Sequence, residues 1–188
     1  MQGGDLVVLL DENGTQVGTA PRESVHSERT PLHLAFSCYL VRSDGRILLT
    51  RRALSKRSWP GVWTNSFCGH PRPGEDPVLA VHRYAAHELG TDVRDLRCAL
   101  PTFRYRAVDP SGVVENELCP VYVGTSTGSV EPHVDEVAEL RWVTLGELRA
   151  AVTTVPWALS PWLVEQFVQL ELGDAWPETE GGSTRDRV

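Results

Sequence analysis

Two glutamates one residue apart lie in a largely apolar segment of the chain, residues 113–121. If this segment is a β-strand, Glu115 and Glu117 point to the same face, because side chains alternate along a strand. Two adjacent carboxylates repel each other, and their burial costs free energy unless a cation compensates. The pair therefore indicates a metal site, and the alternative is an edge strand with a solvated acidic face.

Three histidines and a cysteine could join these carboxylates. Cys68 and His70 are two positions apart beside a glycine and a proline, which is typical of a loop that positions side chains. His26 and His33 lie upstream. A single histidine is more often a satisfied polar group, but three histidines with two carboxylates offer ligands that suit Zn, Mn, Fe or Mg. The sequence leaves open whether these side chains converge.

The segment 51–57 is the densest basic region, with four cations and no acid in seven residues. The whole chain is acidic, with a formal net charge of −7, which excludes a general nucleic-acid binder. A basic cluster in an acidic protein predicts an anion site, because arginine binds phosphate in bidentate fashion and lysine adds a point charge. The alternative is a solvated hairpin end.

Local patterns predict the strands and helices that must position these groups. The predicted strands cover residues 6–10, 34–41, 47–50, 103–107, 113–123 and 137–143. The predicted helices run from Asp76-Pro77 to Gly90, from a capping box at Thr144 and Glu147 through Val152, and from Ser160-Pro161 to about residue 172. Their irregular alternation predicts an α+β (mixed α/β) domain over residues 1–172, followed by a polar, disordered tail over 173–188.

Composition bounds the setting of this domain. The four cysteines are widely spaced with no Cys-x-x-Cys pair, so we expect free thiols and no zinc knuckle. No apolar run is long enough to span a bilayer, and the N-terminus lacks the pattern of a signal peptide. These features predict a cytoplasmic protein.

A loop–helix signature with the spacing G-x5-E-x7-R-x4-E-x-G covers residues 69–90. Its fixed members are Gly69, Glu75, Arg83, Glu88 and Gly90. The spacing resembles the Nudix signature, whose helix glutamates bind a divalent metal on a diphosphate. Tyr84 and His87 stand where Nudix hydrolases usually carry acids, which argues against hydrolysis.

Seven motifs in one order make the resemblance more specific. They are HLAFS at 33–37, TRRALSK at 50–56, WPGVWTNS at 59–66, CGHP at 68–71, FRYRA at 103–107, VENE at 114–117 and PWALSPW at 156–162. Together they resemble the type I isopentenyl-diphosphate Δ-isomerases, a Nudix-fold family of isoprenoid biosynthesis, over roughly residues 5 to 170. The resemblance implies a central mixed β-sheet flanked by helices.

The resemblance also implies two metal sites and a diphosphate site. One divalent ion (Mn2+, Zn2+ or Mg2+) would be held by three histidines and two glutamates, which match His26, His33, His70, Glu115 and Glu117. A Mg2+ would bridge the substrate diphosphate to Glu88 and the backbone of Cys68. The basic side chains that would meet the diphosphate match Arg22, Arg52 and Lys56.

The implied reaction is the isomerisation of isopentenyl diphosphate to dimethylallyl diphosphate, with a proton added at C4 and one removed at C2 through a carbocation-like intermediate. The implied acid lies among Glu117 and Tyr105. Cys68 would handle the C2 proton, and as a base it would need the thiolate character that nearby cations favour. Trp162 matches the aromatic wall beside the cation. The expected partner is a small prenyl diphosphate, with no nucleic acid and no membrane, and the expected state is a monomer.

Position 84 departs from the family, in which an arginine often reaches the diphosphate. Tyr84 brings a hydroxyl without a charge, so the resemblance implies a clamp that is weaker or completed from elsewhere. Three alternatives stay open: a Nudix-type diphosphohydrolase, a non-catalytic prenyl-diphosphate or metal-binding protein, and an isomerase of a modified or longer prenyl diphosphate.

Overall fold

The computed structural model describes residues 5–173 and Trp176. Its strands are β1 (Leu6–Leu10), β2 (Gln16–Pro21), β3 (His33–Leu34), β4 (Phe36–Val41), β5 (Ile47–Arg52), β6 (Trp63–Thr64), β7 (Phe67–Gly69), β8 (Val93–Leu100), β9 (Arg104–Val108), β10 (Val114–Leu118), β11 (Val121–Ser126) and β12 (Val137–Val143). Its helices are α1 (Arg22–Val25), α2 (Pro77–Leu89), α3 (Leu145–Thr154) and α4 (Pro161–Leu172), with a 3-10 turn at Pro156–Ala158. None of these helices has the length and apolar character that a membrane span requires.

The strands form two mixed sheets, where the resemblance implied a central mixed β-sheet flanked by helices. One sheet has the order β2-β1-β3-β10-β9, and the other has the order β12-β5-β4-β11-β8 with β6 and β7 attached. The pairs β3–β10 and β4–β11 are parallel, and the remaining pairs are antiparallel. The predicted α+β class with helices around mixed strands is confirmed.

The predicted strand over residues 113–123 is two strands in different sheets. The chain crosses between the sheets at Cys119 and Pro120, where β10 ends and β11 begins. Proline has no N–H to donate to a ladder, so it marks the crossing point. Because β3 and β4 make the same crossing beside it, the two sheets diverge here, and a cleft lies between β10 of one sheet and β5 and β7 of the other.

The predicted hairpin at Asp44-Gly45 forms, but its strands separate at once. Strands β4 and β5 pair only at Val41 and Ile47. Beyond that pair, β7 pairs with β4 and β6 pairs with β5, so the short β6–β7 turn sits between them. This insertion of the β6–β7 turn between β4 and β5 places residues 63–69 in the interior of the molecule.

Helices cover both faces of the larger sheet. Alternate side chains of β4 enter two apolar clusters: Tyr39 packs with Leu163 and Phe167 of α4, and Phe36 packs with Val81 of α2. The caps of α2 are those that the sequence predicted, since Asp76 accepts from the Val78 N–H and Gly90 ends the helix with φ 57°. This layer of helix, sheet and helix fixes the ends of α2 and α4 beside the cleft.

Five strands and helices lack a sequence-based expectation, namely β2, α1, β6, β7 and β8, and so does the 3-10 turn. The helix predicted through Val152 continues to Thr154, and the helix from Pro161 ends at Leu172 as expected. The tail predicted over 173–188 lies outside the described residues except for Gly173 and Trp176. The Trp176 ring packs edge-on against Tyr39, at 5.4 Å between ring centroids.

Candidate active site and metal centre

Strand pairing brings the predicted metal ligands together. Strand β3 lies beside β10 with His33 paired to Glu117, and His70 follows β7 on the opposite wall of the cleft. His26 follows α1 and reaches the same point, and candidate ligand atoms of all four side chains lie within 4.8 Å of one another. The closest contact joins His33 Nε2 and His70 Nε2 at 3.2 Å.

The fifth predicted ligand, Glu115, lies at the edge of this group. Its Oε2 is 2.9 Å from His26 Nε2, and its Oε1 accepts a hydrogen bond from the Ser58 hydroxyl. Glu115 is therefore connected to the four-residue cluster through His26.

The atoms of the cluster fit a divalent cation. The Nδ1 of His33 faces the Pro31 carbonyl at 3.0 Å and donates to it, so that whenever the ring is neutral, as a metal ligand must be, Nε2 offers a lone pair. That lone pair faces another imidazole nitrogen and, at 3.4 Å, the Glu117 Oε1 oxygen. His26 Nε2 lies 2.9 Å from Glu115 Oε2 without the angles of a hydrogen bond, and neither this buried nitrogen nor His70 Nδ1 makes a hydrogen bond to the described residues. Three nitrogens and a carboxylate oxygen that face one another are a ligand set for a borderline or hard divalent ion.

Charge couples the members of the cluster. Burial raises the pKa of Glu117, but hydrogen bonds and charges from His33 and His70 outweigh burial and hold this pKa well below its usual range. Burial lowers the pKa of His33, yet the bond to Glu117 outweighs it and leaves the pKa raised. For His70, burial dominates and lowers the pKa. Glu117 is consequently an anion within the cluster.

The two oxygens of Glu117 have different partners. Oε1 faces His70 Nε2 at 3.3 Å and belongs to the cluster. Oε2 accepts a hydrogen bond of 2.9 Å from the Tyr105 hydroxyl, which comes from the neighbouring strand β9. Burial, followed by the Glu117 charge, raises the pKa of Tyr105 well above its usual range, so the phenol stays protonated. One carboxylate thus connects the metal ligands to a proton donor.

Cys68 lines the same cavity, of about 310 Å³, as Glu117, Tyr105 and Trp162. Its Sγ lies 3.3 Å from the Ser37 hydroxyl and donates to Asn65 Oδ1 at 3.3 Å. Burial raises the pKa of the Cys68 thiol to about 12, and the nearby Arg52 opposes this only weakly. Contrary to the expectation that cations favour a thiolate here, burial decides, and the resting group is a thiol.

Aromatic rings form one wall of the cavity. The Trp162 ring lies 5.5 Å from the Tyr105 ring and 6.1 Å from the Trp59 ring, between centroids. The Arg52 guanidinium lies 5.7 Å from the Trp162 ring centroid. Trp162 is in the first turn of α4, directly after the Ser160 N-cap. The cap of this helix therefore sets the position of the ring.

The predicted diphosphate residues border the open side of the cavity, and each already has a protein partner. Arg22 Nη1 donates to the Tyr84 hydroxyl at 2.9 Å. Arg52 Nη2 donates to the Ser58 carbonyl at 2.9 Å. The Lys56 ammonium pairs with Glu136, an acid that the sequence pattern did not single out. The basic groups are thus held in place before any anion binds.

Glu88, the predicted Mg2+ ligand, is in the last turn of α2 and lines the same cavity. Burial raises its pKa, and the charges of Lys56, Arg52 and Arg22 oppose that effect. Burial also lowers the pKa of Lys56. A buried carboxylate among three cations provides a site where a metal and a diphosphate could balance charge together.

Tyr84 is buried on α2, and its ring packs against Phe36 and Gly69. A Cβ on Gly69 would lie 2.6 Å from the Tyr84 ring, so this contact requires glycine. The hydroxyl accepts from Arg22, whose pKa is raised: burial alone would lower it, but Tyr84, Asp5 and Glu88 outweigh burial. Position 84 itself is uncharged, but its hydroxyl lies against the Arg22 guanidinium of α1.

Other members of the Nudix signature are structural. Arg83 binds Glu75 through Nε at 2.9 Å and Nη2 at 2.6 Å, and it also donates to the His70 carbonyl at 3.2 Å. These bonds tie α2 to the loop that carries His70. His87 is largely exposed and lies 3.9 Å from Glu136.

Sequence reasoning missed four polar residues that contact the predicted groups: Ser37, Ser58, Asn65 and Glu136. Three of them are within or beside motifs quoted above, and consecutive polar residues in an apolar run at 64–66 were a signal for Asn65. Glu136 had no local signal, because its partner Lys56 is 80 positions away.

Comparison with known proteins first defines the class. The model of the NUDIX domain family matches residues 31–163, more than half of the chain. A crystal structure from Deinococcus radiodurans shares the fold with a TM-score of 0.68 at 22% identity, and it covers 88% of this chain and 98% of that one. A MutT protein from Methanosarcina mazei Go1 has a TM-score of 0.60 at 18% identity, and the match covers 77% of this chain and 96% of that protein. The chain belongs to the Nudix family.

Relatives then define the family within that class. Three proteins, each named isopentenyl-diphosphate Delta-isomerase, are similar over most of the chain. The Agromyces mediolanus protein is 60% identical over 86% of this chain and 79% of its own length. The Frankia alni protein is 59% identical over 87% of this chain and 84% of its own length. The Paenarthrobacter aurescens protein is 52% identical over 96% of this chain and 98% of its own length. The chain therefore belongs to the isopentenyl-diphosphate Delta-isomerase family and is an enzyme of this kind, which confirms the resemblance.

Proposed function

We propose that this enzyme converts isopentenyl diphosphate to dimethylallyl diphosphate by adding a proton at C4 and removing one at C2, through a carbocation-like intermediate. The observation that carries this mechanism is the cavity itself. Its wall holds the Tyr105–Glu117 pair, the Cys68 thiol and the Trp162 ring, and its open side is bordered by basic groups. A hydrocarbon with a charged end fits this distribution of polarity.

Protonation of the alkene is assigned to the Tyr105–Glu117 pair. An unactivated alkene is a weak base, so the donor must be strong and well placed. The division of Glu117 between the histidines at Oε1 and Tyr105 at Oε2 supports this role, since the first oxygen keeps the carboxylate acidic and the second can hold a proton. Because the resting carboxylate is an anion, Glu117 must first take up a proton from solvent at Oε2; Tyr105 would then relay this proton to C4, and the proton that Cys68 removes from C2 would return to solvent.

Removal of the C2 proton is assigned to Cys68. The sulfur must lose its own proton before it can accept one, and two features of this chain favour the thiolate: the Ser37 hydrogen bond and the Arg52 charge. In the reverse direction, the resting thiol is the proton donor, because a reversible reaction uses the same groups both ways.

The intermediate carries positive charge beside the aromatic wall. An indole face stabilises a cation by ~0.5–2 kcal/mol, which is helpful but much smaller than a catalytic barrier. Exclusion of water matters as much, because water would trap the cation as an alcohol. The rings of Trp162 and Tyr105 line the cavity, and Trp59 packs against Trp162, so this part of the lining is apolar and disfavours water.

The donor sets support two divalent ions. We assign a Mn2+, Zn2+ or Mg2+ ion to His26, His33, His70 and Glu117, with Glu115 beside them. We assign Mg2+ to Glu88 and the backbone of Cys68, together with the substrate diphosphate. When bound, the first ion would strengthen the acid at Glu117, and the second would neutralise diphosphate charge.

Diphosphate recognition is assigned to Arg22, Arg52 and Lys56. Arg22 is oriented by Tyr84 and Arg52 by Ser58, so both guanidinium groups lose little conformational freedom on binding. Lys56 can turn from Glu136 towards the anion. The four free thiols support a reducing, cytoplasmic setting, and the monomer expected from the sequence stays a prediction.

The experiment is an incubation of the purified protein with isopentenyl diphosphate and Mg2+ in D2O, followed by proton NMR. The proposal expects dimethylallyl diphosphate with deuterium in the methyl group derived from C4. Release of inorganic phosphate or diphosphate without a new methyl signal would instead indicate a diphosphohydrolase. Unchanged substrate would contradict both activities.

A further inference from the structure

The side chain of Asn65 is completely buried in the turn between β6 and β7, three residues before Cys68. Its Nδ2 donates to the backbone carbonyl of Cys38 at 3.1 Å and to that of Phe67 at 2.8 Å. Because a carbonyl can only accept a hydrogen bond, these two contacts fix which end of the amide is nitrogen. The Oδ1 atom must therefore point away from them and can only accept.

Three donors converge on this one oxygen. Cys68 Sγ donates at 3.3 Å, Trp162 Nε1 at 3.0 Å and Thr64 Oγ1 at 2.9 Å. The indole N–H can only donate, so the Trp162 contact has a single direction. Trp162 is 97 positions away in the chain. One buried oxygen thus ties the sulfur of β7 to the ring of α4.

The start of α4 is anchored to the same turn. Ser160, the N-cap of α4, has its Oγ 2.8 Å from Thr64 Oγ1, and its backbone N–H donates to the Trp63 carbonyl at 2.8 Å. A displacement of Trp162 relative to Cys68 would break several buried hydrogen bonds at once. Each such buried group left without a partner destabilises the fold, so this displacement is opposed.

We infer that Asn65 is a positioning residue that holds the Cys68 sulfur and the Trp162 indole in one fixed relative geometry. This inference rests on the proposed function, since it gives that geometry a purpose. The group that takes the C2 proton and the ring beside the cation must act on the same short carbon skeleton. A misplacement of ~1 Å can reduce a rate by ~10²-fold, which sets the expected size of the effect.

The test compares Asn65→Ala with Ser66→Ala. Ser66 is also completely buried, and its Oγ accepts from the Leu40 N–H and donates to the Leu48 carbonyl without lining the cavity. We expect Asn65→Ala to lower kcat by ~10–100-fold with KM changed less than about threefold, because the diphosphate contacts are untouched. Ser66→Ala should lower the melting temperature while kcat stays within about twofold of the parent.

A double-mutant cycle with Trp162→Phe separates positioning from general damage. This change removes the indole N–H and keeps an aromatic ring. If Asn65 acts by holding Trp162, kcat of Asn65→Ala/Trp162→Phe should equal that of Asn65→Ala within about twofold. Asn65→Ser takes the place of the alanine variant in the same cycle if the latter does not fold.

Three outcomes would overturn the inference. One is a kcat of Asn65→Ala within twofold of the parent, the second is an equal kcat loss in Ser66→Ala, and the third is losses that multiply in the cycle. In each of these, isomerisation by the parent protein would leave the proposed function intact. Failure of the parent to isomerise isopentenyl diphosphate would instead contradict the proposed function.

Discussion

The histidine–glutamate cluster and the Asn65 network line one cavity, but their polar atoms are satisfied in different ways. In the cluster, His33 Nε2, His70 Nε2 and Glu117 Oε1 face one another at 3.2–3.4 Å. These three atoms can form a hydrogen bond with one another only through a proton on one of the two histidine nitrogens. In the network, Asn65 has a protein partner for every polar atom of its side chain. The histidine–glutamate cluster needs a cation to hold its geometry, whereas the Asn65 network holds its geometry without one.

This contrast assigns different tasks to the two walls. A site that must produce a strong acid gains from a cation, because positive charge favours release of a proton. A site that must hold a thiol and an aromatic ring gains from neutral donors and acceptors that exclude water. Substitutions in the histidine–glutamate cluster and in the Asn65 network should therefore differ in their effects on metal content and on stability.

The largest effect is expected for Glu117→Gln. Glutamine keeps the shape and an oxygen for the cluster but cannot carry the proton shared with Tyr105, so kcat should fall by ~10³-fold or more. Metal content and melting temperature should stay near those of the parent. The matched variant is Glu115→Gln, which contacts His26 and Ser58 instead, and which should lose metal and regain part of its rate in excess metal. If both variants regain activity with metal, Glu117 is only a ligand.

On the opposite wall, Cys68→Ala should lower kcat by ~10³-fold, because a positioned acid or base commonly contributes ~10²–10⁴-fold. Metal content should not change, which separates this variant from those of the cluster. Cys119→Ala is the control, since this buried thiol contacts the same Ser37 hydroxyl at 3.4 Å and does not line the cavity. Steady-state kinetics that place Cys68→Ala within tenfold of the parent would remove Cys68 from the mechanism.

Loss of one ligand should break the cluster and spare the network. His33→Ala should reduce the affinity for the divalent ion by at least ~10²-fold and should lower activity unless metal is in excess. Removal of metal by a chelator should inactivate the parent enzyme. His82→Ala is the control, because His82 pairs with Asp92 outside the cavity. Metal analysis by mass spectrometry checks both variants, and active parent protein without any divalent ion would contradict the assignment.

The smallest effect is expected for Tyr84→Phe. The change removes one hydrogen bond to Arg22, so KM should rise by ~3–10-fold, whereas kcat should change less than about twofold, since the diphosphate is remote from the reacting carbons. Tyr122→Phe makes the same chemical change in the same apolar cluster without lining the cavity, and its KM should not change. An unaltered KM in Tyr84→Phe would mean that Arg22 needs no orientation from the phenol.

Local patterns were sufficient where a few neighbouring residues decide the structure. The Asp76 and Gly90 caps defined α2, and the Thr144–Glu147 capping box defined the start of α3, because those hydrogen bonds close within one helical turn. The same locality failed over residues 113–123. There the pattern continues through Pro120, and only the pairing of each half with a different partner strand divides it between two sheets.

For the site, the residue types and the motif order determined the family, and they predicted which side chains would serve as ligands and proton donors. Tertiary structure decided the environment of each group. Burial keeps Cys68 a thiol, Tyr84 binds the Arg22 guanidinium, and Asn65 joins Cys68 to Trp162. The physical reason is that the type of a residue fixes which bonds its side chain can form. Its protonation and orientation depend on neighbours up to 97 positions away, which only the folded chain brings into contact.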